Sequence, residues 1–478
     1  MLTKLWIDGK PVSARSGRTF PVLNPADGKT LANVSEGGLE DVDAAVMAAV
    51  RAAAGPWGKM SARARAKIMF EIARLIRANA GELVLLETRN AGKPLADSRD
   101  EIGLAADVFE YYAGAATKHF GETIPVGASG LDFTLREPVG VCALIVPWNF
   151  PLVIATWKLA PALACGNTMI LKPAPETPLT ALRLAELCAE AGLPEGVLNV
   201  VPGPGPGCGD ALVAHPLVRK VSFTGSTATG TSIMKSAADG LKRVSLELGG
   251  KSPNIVFDDA DLDLCVEKSV WSVFGNAGQD CCARTRSIVH HKIYDKFVAR
   301  FVARTKKIVL GHPEKKGSQI GPLISNKQRE RVCRYIDIGE TEGAERLCGG
   351  SLPGGALAKG FYVTPTVFAG VEAKMRIAQE EIFGPVVAII PFKDEEDAIR
   401  LANASVYGLS GSLWTRDVGR VLRVTRAVQA GVISVNSSSS VHLEAPFGGY
   451  KSSGVGRELG LKALDLYSEI KNVFISNV

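Results

Sequence analysis

Apolar residues recur along this chain with two different periods. Between 61 and 79 the spacing is helical: Ile68, Ile72, Leu75 and Ile76 fall three or four apart, which predicts an amphipathic helix packed by that stripe. Other amphipathic helices are expected in the first 120 residues. From 139 onward, short apolar runs alternate with longer helical stretches. The runs 139–146, 168–171, 197–201, 220–223 and 243–248 predict strands, and 152–164, 178–191, 209–214 and a segment beginning at Thr227 predict helices. Alternation at this spacing predicts an α/β fold with a parallel, doubly wound sheet. A second series, from 254–257 through 380–392 to 431–436, predicts another α/β unit, and 468–478 reads as a closing strand with Val473 and Ile475 on one side.

Doubly wound sheets bind ligands at the carboxyl ends of their strands, and polar motifs stand at those ends. "PWN" follows the first strand, "KPAPE" the second, "FTGS" the fourth and "ELGG" the fifth. The loop "VPGPGPGCGD" fails the dinucleotide fingerprint, because counting from Gly203 or Gly205 puts Cys208 or Asp210 at the third glycine position. It reads as a rigid turn. "FTGSTATG" is the better phosphate candidate, since Gly225 and Ser226 begin a helix directly after a strand, where free amides suit a pyrophosphate. A serine there is equally an ordinary N-cap.

The chain has 478 residues, which suggests two or three domains. Its 55 Lys+Arg against 49 Asp+Glu give +6, and there are no basic runs, so nucleic acid is not an expected partner. The uncharged stretch 139–157 is long enough to be mistaken for a membrane span. Pro147 and Pro151 around Asn149 make it a poor continuous helix, and a strand, turn and buried helix fit better. The Ser-rich 436–440 is the sole low-complexity tract. Nine scattered cysteines and an opening "MLTKLWIDGK" without a signal-like pattern point to a reducing, cytoplasmic location. No C-x-x-C spacing supports a zinc or dithiol site, and no metal is expected.

Cys281 and Cys282 differ from the other cysteines in lying in a Gly- and Asn-rich loop, "FGNAGQDCCARTR". With "PWNFPL", "WKLAPALACGN", "FTGSTATG", "LELGGKSPNIVFDDADLD", "EEIFGPV" and "PFGGYKSSGVGRELG", that loop stands in the order and spacing of the NAD(P)-dependent aldehyde dehydrogenase superfamily, which the chain resembles over essentially its whole length. The resemblance implies a Rossmann-like cofactor domain (1–117 and 139–249), an α/β catalytic domain (250–452) and a small oligomerisation extension (118–138 and 453–478). It implies oxidation of an aldehyde to a carboxylic acid with NAD or NADP, in a homodimer or homotetramer.

Site roles carried over by position make Cys281 the nucleophile, Glu247 the general base, Asn149 an oxyanion donor, and Lys158 with Glu458 a proton relay. Cys282, one residue past the nucleophile, is a bystander in this reading. Trp148, Lys172, Pro175, Gly225, Ser226, Glu381 and Phe383 match cofactor positions, and Phe150, Trp157, Val441 and Phe447 match the substrate tunnel. The chemistry needs these types. A thiolate adds to the carbonyl to give a tetrahedral thiohemiacetal, fixed donors hold its oxyanion, its collapse delivers hydride to the nicotinamide, and water deprotonated by a carboxylate releases the acid from the thioester.

Two positions depart from the family pattern. Pro175 stands where a carboxylate commonly binds the adenine-ribose hydroxyls, which removes the repulsion that would exclude NADP. Val441 stands where some relatives carry an aromatic ring, which weakens the case for a quaternary-ammonium aldehyde and favours apolar aliphatic or aromatic ones. Rival readings are a cysteine hydrolase or acyltransferase using His290 or His291 as base, a CoA-acylating relative, against which Glu247 argues, and a non-catalytic binding protein.

Overall fold

The five apolar runs between 139 and 248 form the strands Val141–Ile145, Thr168–Lys172, Leu198–Val200, Lys220–Thr224 and Arg243–Glu247. They lie parallel, in the spatial order third, second, first, fourth, fifth. The direction of winding reverses between Val141–Ile145 and Lys220–Thr224, and in such a sheet the crevice beyond that point receives the ligand. A computed structural model provides these elements and describes residues 3–439 and 441–477. Met1, Leu2, Ser440 of the Ser-rich tract and Val478 lie outside the described residues.

Strand residues alternate between two cores because successive side chains point to opposite faces. Val141, Ala143 and Ile145 pack with Val42, Ala45 and Ala49 of the helix Leu39–Ala54 and with Ile233 of Thr227–Ala238. Cys142 and Leu144 face the helices Ala62–Ala78, Leu95–Ala115, Pro151–Ala164 and Leu179–Glu190. In Ala62–Ala78 the expected stripe is only half buried at Ile68 and Leu75; Met69, Ile72, Ala73 and Ile76 fill the core. Three additions were not foreseen. Leu5–Ile7 and Lys10–Val12 extend one edge of the sheet, Gly454–Val455 pairs antiparallel with Arg243–Glu247 at the other, and Thr19–Leu23 pairs with Thr30–Ser35.

The second unit is a seven-stranded sheet in the order Glu345–Cys348, Thr366–Ala369, Val386–Phe392, Arg286–His290, Pro253–Val256, Ser410–Trp414, Val432–Val435. All but the first pairing are parallel. Within 380–392 the strand begins only at Val386, because Phe383 takes a left-handed backbone (φ 61°) and Gly384-Pro385 follows. In a third sheet Ser468–Ser476 pairs antiparallel with Gly130–Pro138 along its whole length. The uncharged run 139–157 divides into the strand Val141–Ile145, a turn and the start of the helix Pro151–Ala164. No described helix is long and apolar enough to cross a membrane.

Candidate active site

Cys281 owes its place to a tight loop. The helix Leu262–Phe274 ends at Gly275, and Asn276, Ala277 and Gly278 then follow with positive φ (49°, 54° and 72°), a conformation that costs a residue bearing a side chain roughly 1–2 kcal/mol. A Cβ on Gly278 would stand 2.2 Å from the Gly384 carbonyl oxygen, so the loop closes onto its neighbour only with glycine there. The turn aims the Gln279 carbonyl at two amides: it accepts from Asn149 Nδ2 (3.0 Å) and from Asn276 Nδ2 (3.1 Å). Asn276 Nδ2 also donates to the Asn149 carbonyl at 3.1 Å, and Gln279 Oε1 accepts from the Ile324 N–H at 2.9 Å. Buried Asn149 is thus fixed to the loop that carries the thiol, with its second side-chain N–H uncommitted to these partners.

Glu247 ends the last parallel strand. It is buried, and its Oε2 has no hydrogen-bond partner. Gly448 makes the space, since a Cβ there would lie 2.6 Å from Glu247 Oε1. Burial, and then the charge of Glu458, push the Glu247 carboxyl well above its ordinary range. The ion pair beside it belongs to others: Lys158 Nζ donates to Glu458 Oε1 and to Ser222 Oγ (3.2 Å). Glu458 is held through its backbone, exchanging two 2.7 Å bonds with Phe447.

The Cys281 thiol is held well above its ordinary value, first by a hydrogen bond to the Cys282 thiol and then by burial. Cys282 Sγ lies within 4.8 Å of Cys281 Sγ, and both residues line the first cavity described below. Asp280, Cys281 and Cys282 present donor atoms within 4.8 Å of one another. They are three chain neighbours, not the convergent four-ligand set of a structural zinc site.

Two cavities meet at this point. One, of ≈ 250 Å³, is walled by Phe150, Val153, Ile154, Trp157, Val441 and Phe447, so the four expected tunnel residues converge. Trp157 and Phe447 meet edge to face, 5.3 Å between centroids. The other, of ≈ 210 Å³, opens at the crevice of the first sheet and is lined by Trp148, Asn149, Gly225, Ser226, Leu248, Gly249, Glu381 and Phe383. Thr224, Glu247 and Cys281 line both. No histidine lines either one, and His290, stacked on His291, sits at the far end of its strand, which leaves the hydrolase reading without its base.

Expected cofactor positions divide. Ser226 does cap the helix Thr227–Ala238, accepting from the Thr229 N–H at 3.2 Å. The Gly225 amide is not free, because it donates to the Glu247 carbonyl (3.0 Å), so the open first-turn donors are Thr227 and Ala228. Glu381 is cradled by "GG": the Gly250 N–H donates to its Oε1 at 3.0 Å, and a Cβ on Gly249 would lie 2.6 Å from its Oε2. Phe383 meets Trp148 edge to face at 5.2 Å. Lys172 ends the neighbouring strand Thr168–Lys172 and Pro175 follows it, but neither lines a cavity; Lys172 Nζ is buried and donates to the Pro173 carbonyl (3.2 Å).

Sequence reading missed Gln328 and Arg331, which hold the 381–383 loop by donating to the Ile382, Phe383 and Glu381 carbonyls. It also missed Glu101, which lines the first cavity. Nothing in the pattern separates these three from polar residues on the solvated face of a helix.

The aldehyde dehydrogenase family model matches residues 12–473. Over 477 residues the chain is 45% identical to the mitochondrial aldehyde dehydrogenase of Homo sapiens, covering 99% of this chain and 92% of that one. Over 475 residues it is 46% identical to cytosolic aldehyde dehydrogenase 1 of Mus musculus, covering 98% and 94%. Among solved structures, the NAD+ complex of aldehyde dehydrogenase from Bacillus cereus matches with a TM-score of 0.98 at 45% identity, covering 100% of this chain and 97% of that one.

Proposed function

The chain belongs to the aldehyde dehydrogenase family and is an NAD(P)+-dependent oxidoreductase that converts aldehydes to carboxylic acids; from this premise we propose that Cys281, Glu247 and Asn149 carry the reaction. The observation that supports it is the meeting of the two cavities at Thr224, Glu247 and Cys281. The apolar cavity suits the aldehyde. The other suits the cofactor, with open amides at a helix start for phosphate and the cradled Glu381 carboxylate for ribose hydroxyls. When bound, the nicotinamide supplies the acceptor for the aldehyde hydrogen and its electron pair.

Cys281 Sγ bonds to the carbonyl carbon while its proton passes to Glu247. The raised thiol requires such an acceptor, and the raised carboxyl is matched to it. The carbonyl oxygen takes the electron pair of its π bond, and the free N–H of Asn149 with the Cys281 backbone N–H stabilise it. Once the carbon is oxidised it is held as a thioester on Cys281. After Glu247 has passed on the thiol proton it removes one from water, the water oxygen adds to the thioester carbon, and collapse breaks the C–S bond, releasing the carboxylic acid and the Cys281 thiolate. Lys158, Ser222 and Glu458 form the adjoining polar chain through which the proton departs.

The test is Cys281→Ser, assayed by growth of reduced-nicotinamide absorbance with a simple alkanal. A loss of at least about a thousandfold in kcat is expected, and an undiminished rate would sink the assignment.

Four further assignments belong to the same reading. NADP is accepted beside NAD, because Pro175 removes a repelling carboxylate and Lys172 stands nearby; a preference for NAD above roughly a thousandfold, about 4 kcal/mol, would reject this. Residues 1–117 and 139–249 form the cofactor domain, 250–452 the catalytic domain, and 118–138 with 453–478 the oligomerisation segments. The strand Ser468–Ser476 lies at a sheet edge and exposes Ile470, Phe474 and Ile475, surface that a homodimer or homotetramer would cover; a monomer by light scattering overturns this. The location is cytoplasmic.

A further inference from the structure

A fully buried amine stands beneath Glu247. Lys220 opens the strand Lys220–Thr224, and its side chain shares a sheet face with Ser222 and Thr224, because alternate residues of a strand point the same way. On the adjacent strand the register sets Ser245 beside Ser222 and Glu247 beside Thr224. A polar column therefore descends a face whose other strands present Cys142, Leu144, Met169 and Leu171 to the core. Thr224 and Glu247 form its top, on the wall of both cavities, and Lys220 its foot.

Lys220 Nζ donates to Ser245 Oγ at 3.0 Å and lies 4.8 Å from the centroid of the Tyr467 ring. Among the described residues no carboxylate forms an ion pair with it, and the nearby acid, Glu458, gives its Oε1 to Lys158 and Ser222. The titratable and charged groups that face Lys220 are Cys142 from Val141–Ile145, Lys158 from Pro151–Ala164, Arg243 from the adjacent strand, Glu458 and Tyr467. Burial, with the charge of Lys158, brings its ammonium down to about 8 against the pull of Cys142 and Glu458. An ammonium with no counter-ion is a costly core group that an apolar side chain of similar length would spare. Its place at the end of a polar column gives it a use.

We propose that Lys220 is the far station of the relay that clears protons from Glu247. This rests on the aldehyde-oxidising reading above and extends its polar chain of Lys158, Ser222 and Glu458 by two groups, Ser245 and Lys220. Glu247 and Glu458 both line the first cavity, and the proton passes between them. Ser222 and Ser245 then hand it on, each hydroxyl accepting one proton and releasing its own; strands about 4.8 Å apart put the two hydroxyls within reach of one bridging water. The lone pair of the neutral Lys220 amine takes the proton, and the ammonium loses it to solvent before the next transfer. Glu247 is left ionised to act on water. Lys220 touches no reacting atom and acts only through these intermediaries.

The test uses the full-length enzyme, a simple alkanal and NAD+, mixed rapidly in weak buffer with a pH-indicator dye, so that proton release and reduced-nicotinamide absorbance are followed together. Lys220→Met nearly keeps the shape of the side chain and removes its titration. Ser245→Ala removes only the hydroxyl that holds the amine. In the wild type, protons should reach solvent as fast as reduced nicotinamide forms. In Lys220→Met, proton release should lag behind it and kcat should fall at least about tenfold, while the unfolding midpoint holds or rises. The limb of the kcat profile near pH 8, about where Lys220 titrates, should vanish with it. Ser245→Ala should show the same lag in milder form, and decides the matter even if Lys220→Met fails to fold. Proton release in step with nicotinamide reduction in every folded variant overturns the proposal, as does a fall in kcat that comes with a lower midpoint and no lag. Absence of reduced nicotinamide with the wild type would instead refute the aldehyde-oxidising reading itself.

Discussion

Gly278→Ala should damage catalysis more than its single methyl suggests. Gly278 has φ 72°, and a Cβ there would sit 2.2 Å from the Gly384 carbonyl oxygen, a backbone atom that no side-chain rotation can remove. Ordinary contact begins near 3.5 Å, so the two segments must part by about 1 Å. The left-handed backbone adds roughly 1–2 kcal/mol for a non-glycine residue, and together these should lower stability by about 2–4 kcal/mol. The separation falls on the peptide before Gln279, whose carbonyl holds Asn149 and whose neighbours carry Cys281. A displacement of about 1 Å between reacting groups costs on the order of a hundredfold, equivalent to about 2.7 kcal/mol in the barrier. The assay pairs steady-state aldehyde oxidation with thermal unfolding, at a temperature where the variant remains folded. A kcat within threefold of wild type, with an unaltered unfolding midpoint, would refute the reasoning, because it would mean that the close approach does not position the loop.

Three further outcomes follow from the same geometry. Glu247→Gln should lower steady-state kcat by roughly 10²–10⁴, the usual worth of a general base, and a rapid-quench search for acylated Cys281 locates the step it serves; an unchanged kcat would exclude it as the base. Asn149→Ala should reduce kcat by about 10²–10³ through loss of one oxyanion donor, with a smaller change in KM, and a pure KM effect would move Asn149 from transition-state stabilisation to substrate binding. Because Cys281 and Glu247 are both raised above their ordinary values and both act deprotonated, kcat/KM measured between neutral and mildly alkaline pH should rise with pH; a decline over that interval would contradict the shared assignment.

Much of the architecture was legible because the strands of a buried parallel sheet are short apolar runs with helices between them. The strands Thr168–Lys172, Lys220–Thr224 and Arg243–Glu247 begin and end within one residue of the runs that predicted them. The second sheet was read less completely. Thr366–Ala369 and Ser410–Trp414 lie among glycines, serines and prolines that blur the period. The positions proposed as catalytic stand in recognisable motifs, but the spatial reasons for their placement were not legible. That Gly448 makes room for Glu247, and that Gly249 makes room for Glu381, depends on contacts across about two hundred and about one hundred and thirty residues of chain. Glu101 was invisible for a related reason. On an amphipathic helix an acid beside a cavity and an acid beside water have the same pattern, and only the burial of Lys93 behind it tells them apart.

The thiol and the carboxylate proposed to exchange a proton are supplied by different halves of the molecule: Glu247 terminates a strand of the first sheet, and Cys281 rides on a loop leading into the second. Any rigid tilt of one half against the other therefore changes the length over which that proton must travel. A ligand, a neighbouring subunit or a remote substitution that alters this tilt would retune the rate without touching a single reacting atom.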